Sequence, residues 1–149
     1  MLKIELIWAK SRSADFVLAN DRPLRYHENI LVFSTGATIN ERQTTRRMPY
    51  YPQEIAQDDR YPRTVLDEYP TLDTDRGLHP TQKPVGLLSY LTKLFSRPGE
   101  VVLDPFMGSG STGVAAADLG RHFIGIEREQ QYFDIGAKRL EHFTGLSVR

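Results

Sequence analysis

LDPFMGSGST, residues 103–112, is the stretch on which the fold turns. A short apolar run ends in an acid and a proline, then passes into glycines and hydroxyls. With Gly113 included, Gly108, Gly110 and Gly113 have the G-x-G-x-x-G spacing of a nucleotide-binding turn. Such a turn lets a ligand approach the backbone, and a helix that follows it offers unpaired N–H groups and the positive end of its dipole. A dinucleotide and other adenosine-bearing cofactors both meet that description, so the flanking residues must choose between them.

Upstream, HPTQKPVGLLSYLTKLFSRPGEVVLDP carries Pro84 at the position of a first helical turn. Leu87, Leu88, Leu91, Leu94 and Phe95 fall on one helical face, and Pro98-Gly99 stops the helix. EVVLD then forms a short strand that runs directly into the glycines. Downstream, SGSTGVAAADLG predicts a helix of small residues closed by Gly120, HFIGIE a second strand, and residues 129–143 a last helix. This β-loop-α-β-α order calls for a parallel strand pair with a right-handed crossover.

Three observations favour a sulfonium nucleoside over a diphosphate. Asp104 and Pro105 stand between strand and first glycine, so a pyrophosphate would meet a carboxylate and an imino nitrogen that lacks a proton. An ammonium and a sulfonium beside one small carboxylate would be well received there, because Asp104 can face the cation while the helix N-terminus takes the carboxylate. S-adenosylmethionine has that charge pattern. Glu127, nineteen residues beyond Gly108, ends the next strand where an acid takes ribose hydroxyls, which NAD fits equally well. Only 22 residues follow Glu127, too few for the nicotinamide half of a dinucleotide fold, and no lysine stands where a P-loop requires one.

Near the N-terminus KIELIWA and NILVFS, residues 3–9 and 29–34, read as two strands able to form an antiparallel pair within residues 1–35. From 36 to 78 apolar periodicity disappears, with prolines at 49, 52, 62 and 70. That segment predicts an irregular loop, because it offers little apolar surface to offset its ordering entropy. It is either a mobile insertion or a nucleic-acid-contacting loop, in which Arg42, Arg46 and Arg47 would meet phosphates and Tyr50, Tyr51 and Tyr61 would stack. Asp58 and Asp59 oppose the second reading.

The length of 149 residues suits one domain, with residues 79–143 as its cofactor-binding region. Lysine plus arginine balance aspartate plus glutamate at 19 each, so any attraction to nucleic acid must be local. Without cysteine there is no disulfide, thiolate zinc site or thiolate nucleophile. The four histidines lack metal-ligand spacing, and no metal is expected. No apolar run reaches the length of a membrane span, so the expected location is the cytoplasm.

HPTQKP, LDPFMGSGST and FIGIE, in that order and spacing, resemble the C-terminal half of bacterial and phage DNA amino-methyltransferases, in the permuted subgroup whose catalytic region precedes the cofactor loop. The resemblance is strongest over residues 79–141, and ELIWAK and RPLRYHENILVFS are similar to that family's antiparallel strands. It implies an α/β, partial Rossmann-like methyltransferase fold. S-adenosylmethionine would lie against Asp104, Phe106, Gly108 and Gly110, with Glu127 on the ribose and Thr81 and Lys83 on the methionine carboxylate. The bland alternatives are a solvated charge for Lys83, core packing for Phe106 and a satisfied loop histidine for His79. His27-Glu28 also resembles a family pattern, yet neither histidine is given a chemical role.

The family's catalytic tetrapeptide, Asp/Asn/Ser-Pro-Pro-aromatic, is missing, since the sequence contains no Pro-Pro. That motif would hold the exocyclic amine of a flipped base in line with the methyl group. DPFM is already part of the glycine loop, and MPYY at 48–51 lacks the acceptor before proline. The catalytic residue is therefore unassigned, and the strand that would flank EVVLD is expected to be absent. Two functions follow: a DNA methyltransferase of restriction-modification type, acting on adenine N6 or cytosine N4 but truncated, or a non-catalytic remnant or subunit of a split enzyme that binds cofactor and DNA. The missing thiol favours an amine over cytosine C5 as methyl acceptor. The partners implied are DNA and either a second polypeptide carrying the catalytic motif or another copy of the chain. A dehydrogenase is a distant third reading.

Overall fold

The computed structural model describes residues 1–11, 13, 16–35, 49–55, 61–70 and 77–145. The chain divides into two compact units, Met1–Pro49 with Gln57–Pro70, and Tyr50–Ala56 with Thr71–Arg149.

In the first unit, strands β1 (Leu2–Ala9) and β2 (His27–Phe33) pair antiparallel, with Leu6 opposite Ile30 and Trp8 opposite Glu28. The alternation in LKIELIWA puts Leu6 and Trp8 on one face, and both are buried. A third strand, β3 (Val65–Leu66), runs parallel to β1 on its other edge and buries Leu66 with them. The Trp8 indole Nε1 donates to the Tyr69 carbonyl at 2.9 Å, which fastens the segment after β3 to the sheet.

Here the structure differs from the expected irregular run over 36–78. Besides β3, Pro52–Glu54 forms a single 3₁₀ turn. A two-residue strand is too short to leave any periodic signal, and its partner strand decides that it forms at all. The expected antiparallel pair is present, as two strands of a three-stranded sheet of order β2-β1-β3.

The second unit is α1 (Val85–Phe95), β4 (Val101–Asp104), α2 (Ser111–Asp118), β5 (His122–Gly125) and α3 (Gln130–Thr144). β4 and β5 pair in parallel, Val101 opposite His122 through Asp104 opposite Gly125, as the element order predicts. Pro84 caps α1 from just outside, with an extended ψ of 132°. Leu87 and Leu94 of α1 are buried, each contributing about 1.5–3 kcal/mol relative to exposure.

Small side chains make α2 the hub of this unit. Ala115 and Ala116 are 0% exposed, and the helix touches α1, β4, β5 and α3. Gly113 is required by that closeness, since a Cβ there would lie 2.7 Å from the Phe123 ring and 2.8 Å from Leu140. At the far end of α1, Arg121 donates to the Ser96 carbonyl at 2.8 Å, the Ser96 hydroxyl at 3.2 Å and the Leu119 carbonyl at 2.6 Å. One buried guanidinium thereby joins the end of α1 to the turn before β5. Residues 50–55 dock on α1 through the Tyr51 N–H to Leu94 carbonyl bond, 2.8 Å, and the Arg97 guanidinium 4.5 Å above the Tyr51 ring.

The β4–β5 sheet is covered unequally. Phe123 points toward α2, whereas Leu103 and Ile124, register partners on the opposite face, are 58% and 53% exposed. Val101 and Ile126 extend that bare apolar face. Among the described residues β4 has a strand neighbour only on its β5 side, in keeping with the expected missing strand.

Candidate functional site

The glycine turn sits at the C-terminal ends of β4 and β5, where ligands bind in open parallel sheets. The ladder continues beyond the strands, as the Ile126 N–H donates to the Asp104 carbonyl and the Met107 N–H to the Ile126 carbonyl, both at 2.9 Å. Gly108 has a left-handed φ of +51°, and a Cβ on it would come 3.3 Å from the His79 ring. A side chain is therefore disfavoured there by backbone and by space.

Both acids brace this turn. Asp104 Oδ1 accepts from the Phe106 N–H at 3.0 Å and Oδ2 from the Thr112 hydroxyl at 2.6 Å, tying the strand end to the first turn of α2. Glu127 Oε2 accepts from the Gly108 N–H and Oε1 from the Glu129 N–H, each at 2.9 Å. The Glu129 N–H, followed by those of Gly108 and Arg128 and by His79, holds the Glu127 carboxyl below its ordinary value, against the opposing effect of partial burial.

The HPTQ segment closes the other side as a tight turn. The Gln82 N–H donates to the His79 carbonyl at 3.2 Å, and the Thr81 N–H to His79 Nδ1 at 3.2 Å. His79 stands edge-on to Tyr132 of α3, with ring centroids 4.2 Å apart. The Ser109 hydroxyl donates to Gln82 Oε1 at 3.1 Å, which joins the HPTQ turn to the glycine turn.

Between the two turns lies a cleft of about 90 Å³, lined among others by Thr81, Gln82, Lys83, Asp104, Phe106 and Gly108. Five of the seven cofactor residues expected from the sequence thus line one cavity. Phe106 is 87% exposed beside it, which removes core packing as an explanation of that ring. Gly110 and Glu127 are not among the lining residues. Gly110 instead begins α2 with a φ of 76° and backs onto α3, where its Cβ would be 3.2 Å from the Gly136 Cα. Arg42, Arg46 and Arg47 lie outside the described residues.

Sequence reasoning gave no role to His79, Gln82, Ser109, Gly136 or Arg139. From α3, Arg139 donates to the Ser111 hydroxyl at 3.0 Å and the Ser109 carbonyl at 3.3 Å, steadying the glycine turn from behind. Gly136, a lone glycine inside a helical pattern, is the signal that could have exposed this close crossing. Among the described residues no group of three or more His, Asp or Glu could hold a metal ion, and no helix is long and apolar enough to cross a membrane.

A parallel β-α-β unit with a left-handed glycine turn at one strand end and an acid at the next defines the nucleoside-binding part of an α/β fold. A family model described as DNA methylase, of the N6/N4 methyltransferase type, matches residues 1–138, and the chain belongs to that family. It is 54% identical over 65 residues to the type II methyltransferase M2.DpnII of Streptococcus pneumoniae, covering 44% of this chain and 24% of that protein. With M.HinfI of Haemophilus influenzae the identity is 56% over 62 residues, 42% of this chain and 17% of that one. The crystal structure of the M1.HpyAVI–SAM complex superposes with a TM-score of 0.71 at 29% identity, covering 94% of this chain and 62% of that one. The PvuII cytosine-N4-specific DNA methyltransferase shares the fold, with a TM-score of 0.68 at 16% identity over 95% of this chain and 55% of that one. The chain matches a quarter or less of those curated relatives and less than two thirds of those structures.

Proposed function

We propose that this chain is the S-adenosylmethionine-binding part of a DNA methyltransferase that modifies adenine N6 or cytosine N4, working with DNA in the cytoplasm. The observation that carries the reading is the cleft itself, which gathers Thr81, Lys83, Asp104, Phe106 and Gly108 from two separated stretches of sequence. Its chemistry fits the cofactor. Donors cluster at the HPTQK turn and the start of α2, an acid lies at Asp104, and an exposed ring at Phe106 offers a stacking face for adenine. At about 90 Å³ the cleft is smaller than the ~300–1,000 Å³ that encloses a whole drug-sized ligand. Its size would suit the amino-acid tail alone, and Phe106 and Glu127 would remain to hold the nucleoside.

Bound there, S-adenosylmethionine supplies an electrophilic methyl carbon whose transfer to an amine leaves S-adenosylhomocysteine. The chain's own residues bind and orient it. Glu127 would exchange part of its backbone hydrogen bonding for ribose hydroxyls, and Asp104 would offer its outer lone pairs to the ammonium.

A second reading rests on the absence of Pro-Pro from the sequence. In it the chain binds cofactor and DNA, and the amine-aligning tetrapeptide belongs to another polypeptide. Titration of the full chain with S-adenosylmethionine and with NADH tests the common ground: binding of NADH alone would overturn both readings. Methyl-labelled cofactor and DNA then divide them. Label in DNA from the chain alone supports the first reading, with the chain supplying its own amine-aligning groups, and label only after a tetrapeptide-bearing polypeptide is added supports the split one. Cofactor binding without label in either case marks a non-catalytic binder. If the arginine-rich stretch contacts DNA, alanine at Arg46 and Arg47 reduces the salt dependence of binding.

A further inference from the structure

Gln82 holds the one buried side-chain nitrogen or oxygen that lacks a hydrogen-bond partner among the described residues, its Nε2. Two contacts determine where that amide stands. The His79–Gln82 turn anchors its backbone, and the Ser109 hydroxyl donates to Oε1 at 3.1 Å. Because a side-chain amide is planar, engaging the oxygen with Ser109 leaves both N–H bonds directed away from that contact. Gln82 lines the cleft, beside Lys83 and Ser109. Buried donors find acceptors in nearly all folded proteins, and a persistent exception calls for an explanation.

From this geometry we infer that the Gln82 amide is a direct donor to the carboxylate of the bound cofactor's amino-acid tail. The inference rests on the S-adenosylmethionine reading and adds a residue that the sequence motif alone leaves unassigned. The cofactor offers several acceptors, and location selects among them. Ser109 stands two residues before the first residue of α2, so Gln82 is tied to the end of the cleft where that helix begins and where its dipole favours an anion. Phe106, exposed and on the strand side of the turn, marks the nucleoside end. The neutral amide adds a directional bond where Lys83 supplies charge. It also couples ligand to loop, since the amide that grips the carboxylate also receives the hydroxyl of Ser109.

The test compares two ligands by calorimetric titration of the full chain: S-adenosylhomocysteine, which has the amino-acid tail, and 5′-methylthioadenosine, which lacks it. Gln82→Glu keeps an acceptor for Ser109 and replaces the donor with negative charge; Gln82→Met keeps shape and removes both functions. The expected result is about a tenfold or greater loss of affinity for S-adenosylhomocysteine in Gln82→Glu and a smaller loss in Gln82→Met. Affinity for 5′-methylthioadenosine stays within about twofold in both. Unchanged affinity for both ligands, or equal losses for both, overturns the inference, the latter making Gln82 only a brace for Ser109. Failure of the unsubstituted chain to bind either ligand would sink the cofactor reading itself. Should either variant fail to fold, the wild-type chain decides by NMR: the Gln82 side-chain amide resonance shifts with S-adenosylhomocysteine and not with 5′-methylthioadenosine, and the absence of that difference counts against the proposal.

Discussion

Glu127 shows how one carboxylate can build a site before it serves a ligand. Its two oxygens close the glycine turn by accepting the Gly108 and Glu129 N–H groups, and those bonds lower its pKa from the ordinary 4.5. A group whose folded pKa is depressed stabilises the fold above its unfolded pKa, and that contribution is lost as pH falls through the lower folded value. Glu127→Gln, which accepts only as a neutral amide, is therefore expected to be less stable than wild type near neutral pH. The difference in Tm should shrink below pH of about 4.5, as the wild-type carboxyl becomes protonated. Thermal melts of both chains across that range check it, and a Tm difference that stays constant down to about pH 3 would remove the brace. Asp104 braces the turn from its other end. Asp104→Ala is expected to weaken S-adenosylmethionine binding about ten- to hundredfold, because the Phe106 N–H and Thr112 hydroxyl lose their acceptor and the ammonium would lose the partner proposed for it.

At the scale of elements, α2 is positioned by what it lacks. Alanines and Gly113 let it lie against sheet and helices at once, so its first N–H groups begin at the glycine turn. Gly113→Ala should destabilise the chain by about 1–3 kcal/mol, since the new methyl meets Phe123 and Leu140 at 2.7–2.8 Å. Chemical denaturation measures that, and a neutral result would mean that α2 can slide away without cost. Arg121 tests the joint between elements. Arg121→Met preserves the buried stem but leaves the two Ser96 acceptors and the Leu119 carbonyl without their donor. A loss of about 2–4 kcal/mol is expected in the same experiment.

For the whole molecule the telling feature is the bare face of the β4–β5 sheet. Parallel sheets are normally covered on both faces, yet Val101, Leu103, Ile124 and Ile126 are each more than half exposed, and β4 keeps one edge unpaired among the described residues. Contiguous exposed apolar surface and an open strand edge both promote association. The double variant Leu103→Lys, Ile124→Lys is expected to raise solubility and lower light scattering of the purified chain while leaving cofactor affinity within about twofold, because neither side chain lines the cleft. Equal scattering from both proteins would show that this face is not what drives association.

Much of this was legible in local sequence. The order of most strands and helices and the glycine turn with its two acids follow from spacing, turn chemistry and apolar period, which act over a few residues, whereas the HPTQK donors were implied only by the family resemblance. The convergence of Thr81 and Lys83 with Asp104 and Gly108 was legible only through the family resemblance, because nothing local brings residues more than twenty positions apart to one cleft. Tertiary structure alone decided the rest. β3 exists because β1 offers it an edge. Gly110 and Glu127 prop the turn from outside the cleft because α3, through Gly136, and the end of β5 pack against it. Ser109 holds the Gln82 oxygen, while Gln82 Nε2 has no partner among the described residues. Each of these depends on a neighbour distant in sequence, and burial and hydrogen bonding are set by such neighbours once the chain has closed upon itself.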